Sequence, residues 1–293
     1  MIFNRKDTFL RFPWLKEKNH SMIISADYDG LICASFLKHY LNWELVGYYD
    51  LNNLWLSKQA IEQKSELIWV DLNILPQRGR AIGGHIISID DNIPKGFESS
   101  CNPNILAGIN AKKFENKFPF STILYLLWIH NKEIPKTISS KLLILHSDAV
   151  WLKYQHYPTN CYDWQNRMKD FNWEWLFKNI NSKKFEKEID QKFYPNLKSL
   201  CAISGQSKLI SKHLHIKGRQ LQFNPDWDED IILNLFSLFA DYLNWSPPQL
   251  PDIIKYIEGS RKKISLSDPI SITAKRENDS WGIFDENWGF VIH

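Results

Sequence analysis

Short, wholly apolar runs alternate along the first half of the chain with stretches whose apolar positions recur at helical spacing. Residues 22–26 (Met-Ile-Ile-Ser-Ala) predict a buried strand, and 31–41 the helix that follows it. A second strand is expected over 44–48, a helix over 56–63 and a third strand over 67–70. A short helix near 76–81 then leads to a fourth strand over 86–89 and a small one near 105–107. Residues 121–130 predict a helix capped by Ser121 or Thr122, and 142–145 form one more apolar run. Apolar strands alternating with helices indicate an α/β fold: a parallel sheet flanked by helices on both faces.

From 151 to about 196 the pattern turns helical, polar and aromatic. That predicts a domain over 1–150, a helical connector over 151–195, and a smaller C-terminal α/β or α+β domain over 196–293. In the last part, 200–204 reads as a strand and 228–243 as a helix with an acidic first turn, stopped by Pro247-Pro248. Residues 270–293 read as strands joined by polar turns.

Composition narrows the class. A chain of 293 residues suits two domains, and 44% apolar residues with 13 Trp, 11 Tyr and 17 Phe describe an ordered globular protein. A net charge of +3 excludes a strongly basic nucleic-acid coat protein and an acidic disordered tail. The near-neutral total hides segregation: residues 192–225 carry six Lys or Arg and no acid, whereas 226–258 carry seven acids and one Lys. Cys33, Cys101, Cys161 and Cys201 never form a CxxC and are expected as buried reduced thiols. The longest notable apolar run, 123–129, has seven residues, and the first residues lack the apolar core of a signal peptide. A cytoplasmic protein with no membrane partner is the expectation, with the oligomeric state, a homodimer included, left open.

The chemistry lies in where the aspartates fall. Asp27 and Asp29 follow the first strand, Asp71 ends the third, Asp90 and Asp91 end the fourth, and Asp148 follows the run 142–145. In a parallel sheet these positions lie at the carboxyl edge, where such folds bind ligands. Carboxylates converging there repel one another unless a cation neutralises them, and oxygen ligands suit Mg²⁺ or Mn²⁺. Taken singly, an Asp after a strand is as often a helix N-cap or turn residue. Capping is a weaker account of four successive strand ends.

In order and spacing, Asp27-Tyr28-Asp29-Gly30, then Val70-Asp71, then Asp90-Asp91-Asn92, then His146-Ser147-Asp148 resembles the motif series of the DHH phosphoesterase superfamily. That group includes RecJ-like exonucleases, nano-RNases and family II pyrophosphatases. Over residues 20–150 the resemblance implies a metal-dependent hydrolase of phosphodiester or phosphate bonds, acting on a short oligonucleotide or nucleotide through a metal-activated water. It implies Asp27 and Asp29 on separate metals, Asp71 bridging them and Asp148 completing the second site. Asp91 stands where the family has a metal-binding imidazole. Asn92 replaces the second family histidine, and being neutral cannot serve as a general acid. The histidine expected before the first Asp pair is replaced within Ile23-Ile24-Ser25-Ala26. A catalytically degenerate relative that binds nucleotide or nucleic acid without cleaving it therefore remains an alternative.

Among the histidines, His146 is a candidate participant, His20 falls too early, and His85 reads as structural, at the amino end of the fourth strand. A rival resemblance is to haloacid-dehalogenase-type phosphatases, with Asp27 as nucleophile and Asp29 as acid/base. It leaves Asp71 and Asp148 without roles. In the C-terminal part, Arg219, Lys217 and His215 are candidates for substrate phosphate, Arg219 foremost because its fork beside Gly218 suits bidentate contact. An ordinary solvated basic face is the competing account.

Overall fold

In the computed structural model, the residues described are 3–50, 53–75, 79–88, 90, 91, 93, 96–200, 225, 229–258, 260–262, 273–274, 281–283 and 290–292. The chain divides into two compact units: Met1–Ser25, Leu37–Phe118 and Pro248–His293 form unit 1, and Ala26–Phe36 with Pro119–Pro247 form unit 2. This interleaving differs from the three consecutive segments expected. The segment after Pro248 belongs with unit 1, and 26–36 with the helices after 119.

Unit 1 carries strands β1 (Ser21–Ser25), β2 (Glu44–Tyr49), β3 (Asn53–Ser57), β4 (Ile68–Val70), β5 (Asn73–Leu75), β6 (Arg80–Ile82), β7 (Ile87–Ser88), β8 (Ser100–Cys101), β9 (Ile253–Glu258), β10 (Ser260–Lys262), β11 (Thr273–Ala274), β12 (Trp281–Ile283) and β13 (Phe290–Ile292). Seven form a mixed, mostly parallel sheet in the order β8-β6-β4-β1-β2-β3-β9. Pairs β1–β2, β1–β4, β4–β6 and β6–β8 are parallel, while β2–β3 and β3–β9 are antiparallel. Smaller sheets order as β10-β12-β13-β5 and β11-β7. The α/β class, with a mostly parallel sheet flanked by helices, is as expected.

β1 is buried at all five positions, and its centre, Met22-Ile23-Ile24, is an unbroken apolar stretch between Ser21 and Ser25 instead of an alternating one. Ile23 belongs to a buried cluster with Val46, Leu54, Leu56, Trp69 and Ala81, in which each Ile, Val or Leu side chain stabilises the fold by roughly 1.5–3 kcal/mol. From β1 the chain moves outward to β2 and β3, then returns to β4 and β6 on the other side. The carboxyl ends of β1 and β4 therefore flank the point where strand order reverses, the usual ligand crevice of an open α/β sheet.

Several local expectations change. Where a helix near 76–81 was expected, Arg80–Ile82 is β6, which pairs in parallel with β4, Ile82 opposite Val70. The described part of the fourth expected strand is only β7, and it pairs antiparallel with β11 outside the main sheet, because β6 occupies the place beside β4. Asp90 and Asp91 thus do not follow a strand of that sheet. The expected strand near 105–107 is instead a helix, Pro103–Leu106; Asn102 accepts from the amides of Asn104 and Ile105, and Pro103 occupies the first turn. The expected strand over 200–204 falls mostly outside the described residues.

Among its described residues unit 2 is helical. The opening part of the helix Tyr28–Leu41 counts with it, and Thr122–Ile129 is buried at every position. The apolar run 142–145 lies inside the helix Ile138–His146, whose start is fixed by a reciprocal capping box between Thr137 and Ser140. Asp148 therefore follows a helix and not a strand. Glu229–Leu243 buries Ile232, Leu235, Phe236, Phe239 and Leu243 at helical spacing behind an acidic first turn, as the sequence predicts. Cys33, Cys101 and Cys161 are buried free thiols, and Cys201 lies outside the described residues. No described helix is long and apolar enough to cross a membrane.

Candidate metal centre

Asp71 directly follows β4 and is fully buried. Its backbone is left-handed (φ 62°), a conformation Asp tolerates better than most residues. The amide of Asp71 donates to Ile82 O at 2.7 Å, which ties the turn to the end of β6. One carboxylate oxygen accepts from Ser25 Oγ at 2.7 Å, and the other lies 2.9 Å from His85 Nε2. This contact holds the imidazole in orientation, the arrangement by which a carboxylate positions a metal-binding histidine.

His85 is the residue that sequence reasoning misplaced. Because β6 is a strand, His85 follows its carboxyl end, on the same edge as Asp71, instead of preceding a strand at the opposite edge. The signal was Gly83-Gly84: a Cβ at Gly83 would lie 2.9 Å from Leu72 O and 3.0 Å from Leu72 N, so only glycine admits this approach. Asn104 fixes the next step by donating to Gly84 O and Ile86 O at 2.8 and 3.1 Å.

In unit 2, Asp27 occupies the cap position before the helix Tyr28–Leu41 and accepts from Gly30 N at 2.9 Å. Asp29, 1% exposed, accepts from the amides of Thr122 (2.6 Å) and Ile123 (3.2 Å) at the start of the helix Thr122–Ile129. It also accepts from Ser147 Oγ at 2.7 Å. The capping role that a lone Asp commonly plays is therefore real for both residues. For Asp29 it also fixes the carboxylate against a helix N-terminus. Asp148, buried, sits in the break between the helices Ile138–His146 and Val150–His156, with Asp148 (φ 53°) and Ala149 (φ 50°) consecutively left-handed. Lys153 Nζ is 4.0 Å from its carboxylate. Two successive non-glycine residues in this region cost roughly 1–2 kcal/mol each, a strain found preferentially at functional sites.

His146 is enclosed by the rings of Tyr28, Phe193 and Tyr194. Burial pushes its imidazole down to about 3, so it stays neutral at physiological pH and is a weak base. The Tyr28 hydroxyl is held well above its usual value, first by burial and then by Asp29, and it donates to Leu143 O. Asp91 is exposed and accepts from Asn110 Nδ2 at 3.0 Å. Asn92, His215, Lys217 and Arg219 lie outside the described residues.

No family model, no curated protein and no solved structure matches this chain.

Proposed function

We propose that the protein is a metal-dependent phosphoesterase of DHH-like type, acting on phosphodiester bonds of a short oligonucleotide or nucleotide. The observation that carries this reading is the pair of buried Asp71 and half-buried His85 at the carboxyl ends of β4 and β6, beside the reversal of strand order. In unit 1 the His85 imidazole would be a ligand, with Asp71 orienting it from behind; in unit 2 Asp29 and Asp148 would offer carboxylate oxygens. His85 takes the part that the resemblance had assigned to Asp91. A mixed nitrogen and oxygen set favours Mn²⁺ over Mg²⁺. Such an ion supplies Lewis acidity toward a phosphoryl oxygen and an activated water. In unit 2 the helix amides on Asp29 hold that carboxylate in place.

A second reading, a nucleotide-binding relative without turnover, draws support from the bonds Asp29 already makes to two amides and Ser147. Manganese titration by calorimetry, with hydrolysis of bis(p-nitrophenyl) phosphate, separates the two. The hydrolase reading expects one or more ions bound and turnover that Asp148→Asn removes. Binding without turnover under Mn²⁺, Mg²⁺ or Co²⁺ would select the second reading.

The close approach at Gly83 adds a remote test. Gly83→Ala must push the loop off Leu72 and carry His85 from its place, so manganese affinity should fall about ten- to a hundredfold. Undiminished affinity in a folded Gly83→Ala protein would remove His85 from the ligand set.

A further inference from the structure

Unit 2 contains a cavity of about 680 Å³ that none of the metal-centre residues line. Its walls include the rings of Tyr154, Tyr162, Trp173 and Phe177. These rings touch one another: Tyr154 and Phe177 have centroids 4.8 Å apart, Tyr154 and Tyr162 5.6 Å, Trp173 and Phe177 5.9 Å. The volume lies within the range of small-ligand sites. Tyr162 is 53% exposed, unusual for a ring that belongs to such a cluster, and leaves an aromatic surface available to an incoming group.

Two further observations say what kind of group fits. Gln165 is on the lining and its Nε2 is buried without a hydrogen-bond partner, a donor that a turn of the side chain toward the cavity would let a ligand acceptor meet. The lining also offers the amides of Asn179 and Asn181, with a single cation (Lys178) against a single carboxylate (Glu174). The charge is therefore balanced, and the chemistry suits a neutral flat ring with hydrogen-bonding edges better than a phosphate.

The rim is held in shape from behind. Lys141 Nζ donates to Trp175 O at 3.2 Å and to Lys178 O at 2.6 Å, and Gln155 Nε2 donates to Ile180 O at 3.2 Å. These bonds fix the turn that presents Lys178, Asn179 and Asn181, with Asn179 left-handed at φ 63°. A rim ordered before binding spares the ligand the entropy of ordering it.

We propose that this cavity is a nucleobase subsite, in which one unstacked base of a single-stranded nucleic acid lies against the aromatic rings and meets the Gln165 amide at its edge. Stacking on aromatic side chains accepts every base because each has a π-face. The proposal deepens the phosphoesterase reading and rests on it only for the nature of the chain that carries the base.

The test is binding of adenosine and of a fluorescein-labelled five-residue oligothymidylate to the full chain in EDTA, by calorimetry and fluorescence anisotropy. Tyr162→Ala and Gln165→Leu should each weaken both ligands about tenfold or more. Tyr157→Ala, which removes an exposed ring outside the cavity, should leave binding unchanged. The proposal is overturned if neither ligand binds the unaltered protein, if both cavity variants bind as it does, or if cellobiose competes where adenosine does not. Bis(p-nitrophenyl) phosphate is tested separately on the unaltered protein. If it is never cleaved while Tyr162→Ala still weakens adenosine, the hydrolase reading fails and the base subsite stands.

Discussion

Asp71→Asn is expected to lower metal-dependent phosphodiester turnover about ten- to a hundredfold, equivalent to roughly 1.4–2.7 kcal/mol of barrier. The substitution is nearly isosteric. An Asn oxygen still accepts from Ser25 Oγ, so the turn after β4 keeps that bond. What is lost is the negative charge facing His85, which sets the ring's tautomer and raises its basicity as a ligand. Because Asp71 is fully buried and its Asn counterpart would turn an NH2 toward His85, the thermal midpoint should fall as well, so turnover is compared at a temperature where both proteins remain folded. Asp91→Asn is the informative companion: the residue is exposed and held by Asn110, so its turnover should stay within a fewfold of the unaltered protein. The assignment of His85 over Asp91 fails if the two variants exchange these outcomes. Turnover and thermal midpoint measured on both proteins settle it.

Acidification should destabilise the protein through His130, by up to about 3 kcal/mol. Burial, and secondarily Lys132, pushes this imidazole down to about 4, whereas a histidine in an unfolded chain takes its proton near 6.5. Between those two values only the unfolded chain binds the proton. The contribution is fully present above about pH 6.5 and is lost progressively as pH falls toward 4. The ring lies 5.5 Å from that of Phe36. Urea midpoints at pH 7 and 4.5 check this. His130→Gln, which has no proton to gain, should lose less stability over the interval than the unaltered protein. Equal losses would assign the acid sensitivity to other groups.

The part of the fold that the sequence announced is the part built on long apolar runs. β1, β2 and β4 are buried strands, and buried strands in a parallel sheet show as uninterrupted apolar residues. The aspartates after β1 and β4 were legible for the same reason. β6 was not, because three residues beginning with a partly exposed Arg80 carry too little pattern to mark a strand. That single omission put His85 on the wrong edge of the sheet. The run 142–145 illustrates the opposite failure: four apolar residues fit a strand or a buried helix equally well, and Thr137 with Ser140 held the deciding signal five positions upstream. Asp29 shows both accounts holding at once, a helix cap by its bonds and a candidate ligand by its burial.

The outer place beside β3 belongs to β9, with Asn53 paired to Glu258 and Leu54 to Ile257 across some two hundred residues of chain. During synthesis β3 emerges long before its partner exists. Until β9 arrives, its Leu54, Trp55 and Leu56 lie along an unpaired edge, the arrangement most prone to pairing with another molecule. Closing so distant a contact is slow by nature. The order in which this sheet is completed, from its centre outward and last at β9, therefore makes the late-made strand the guard of the early-made one.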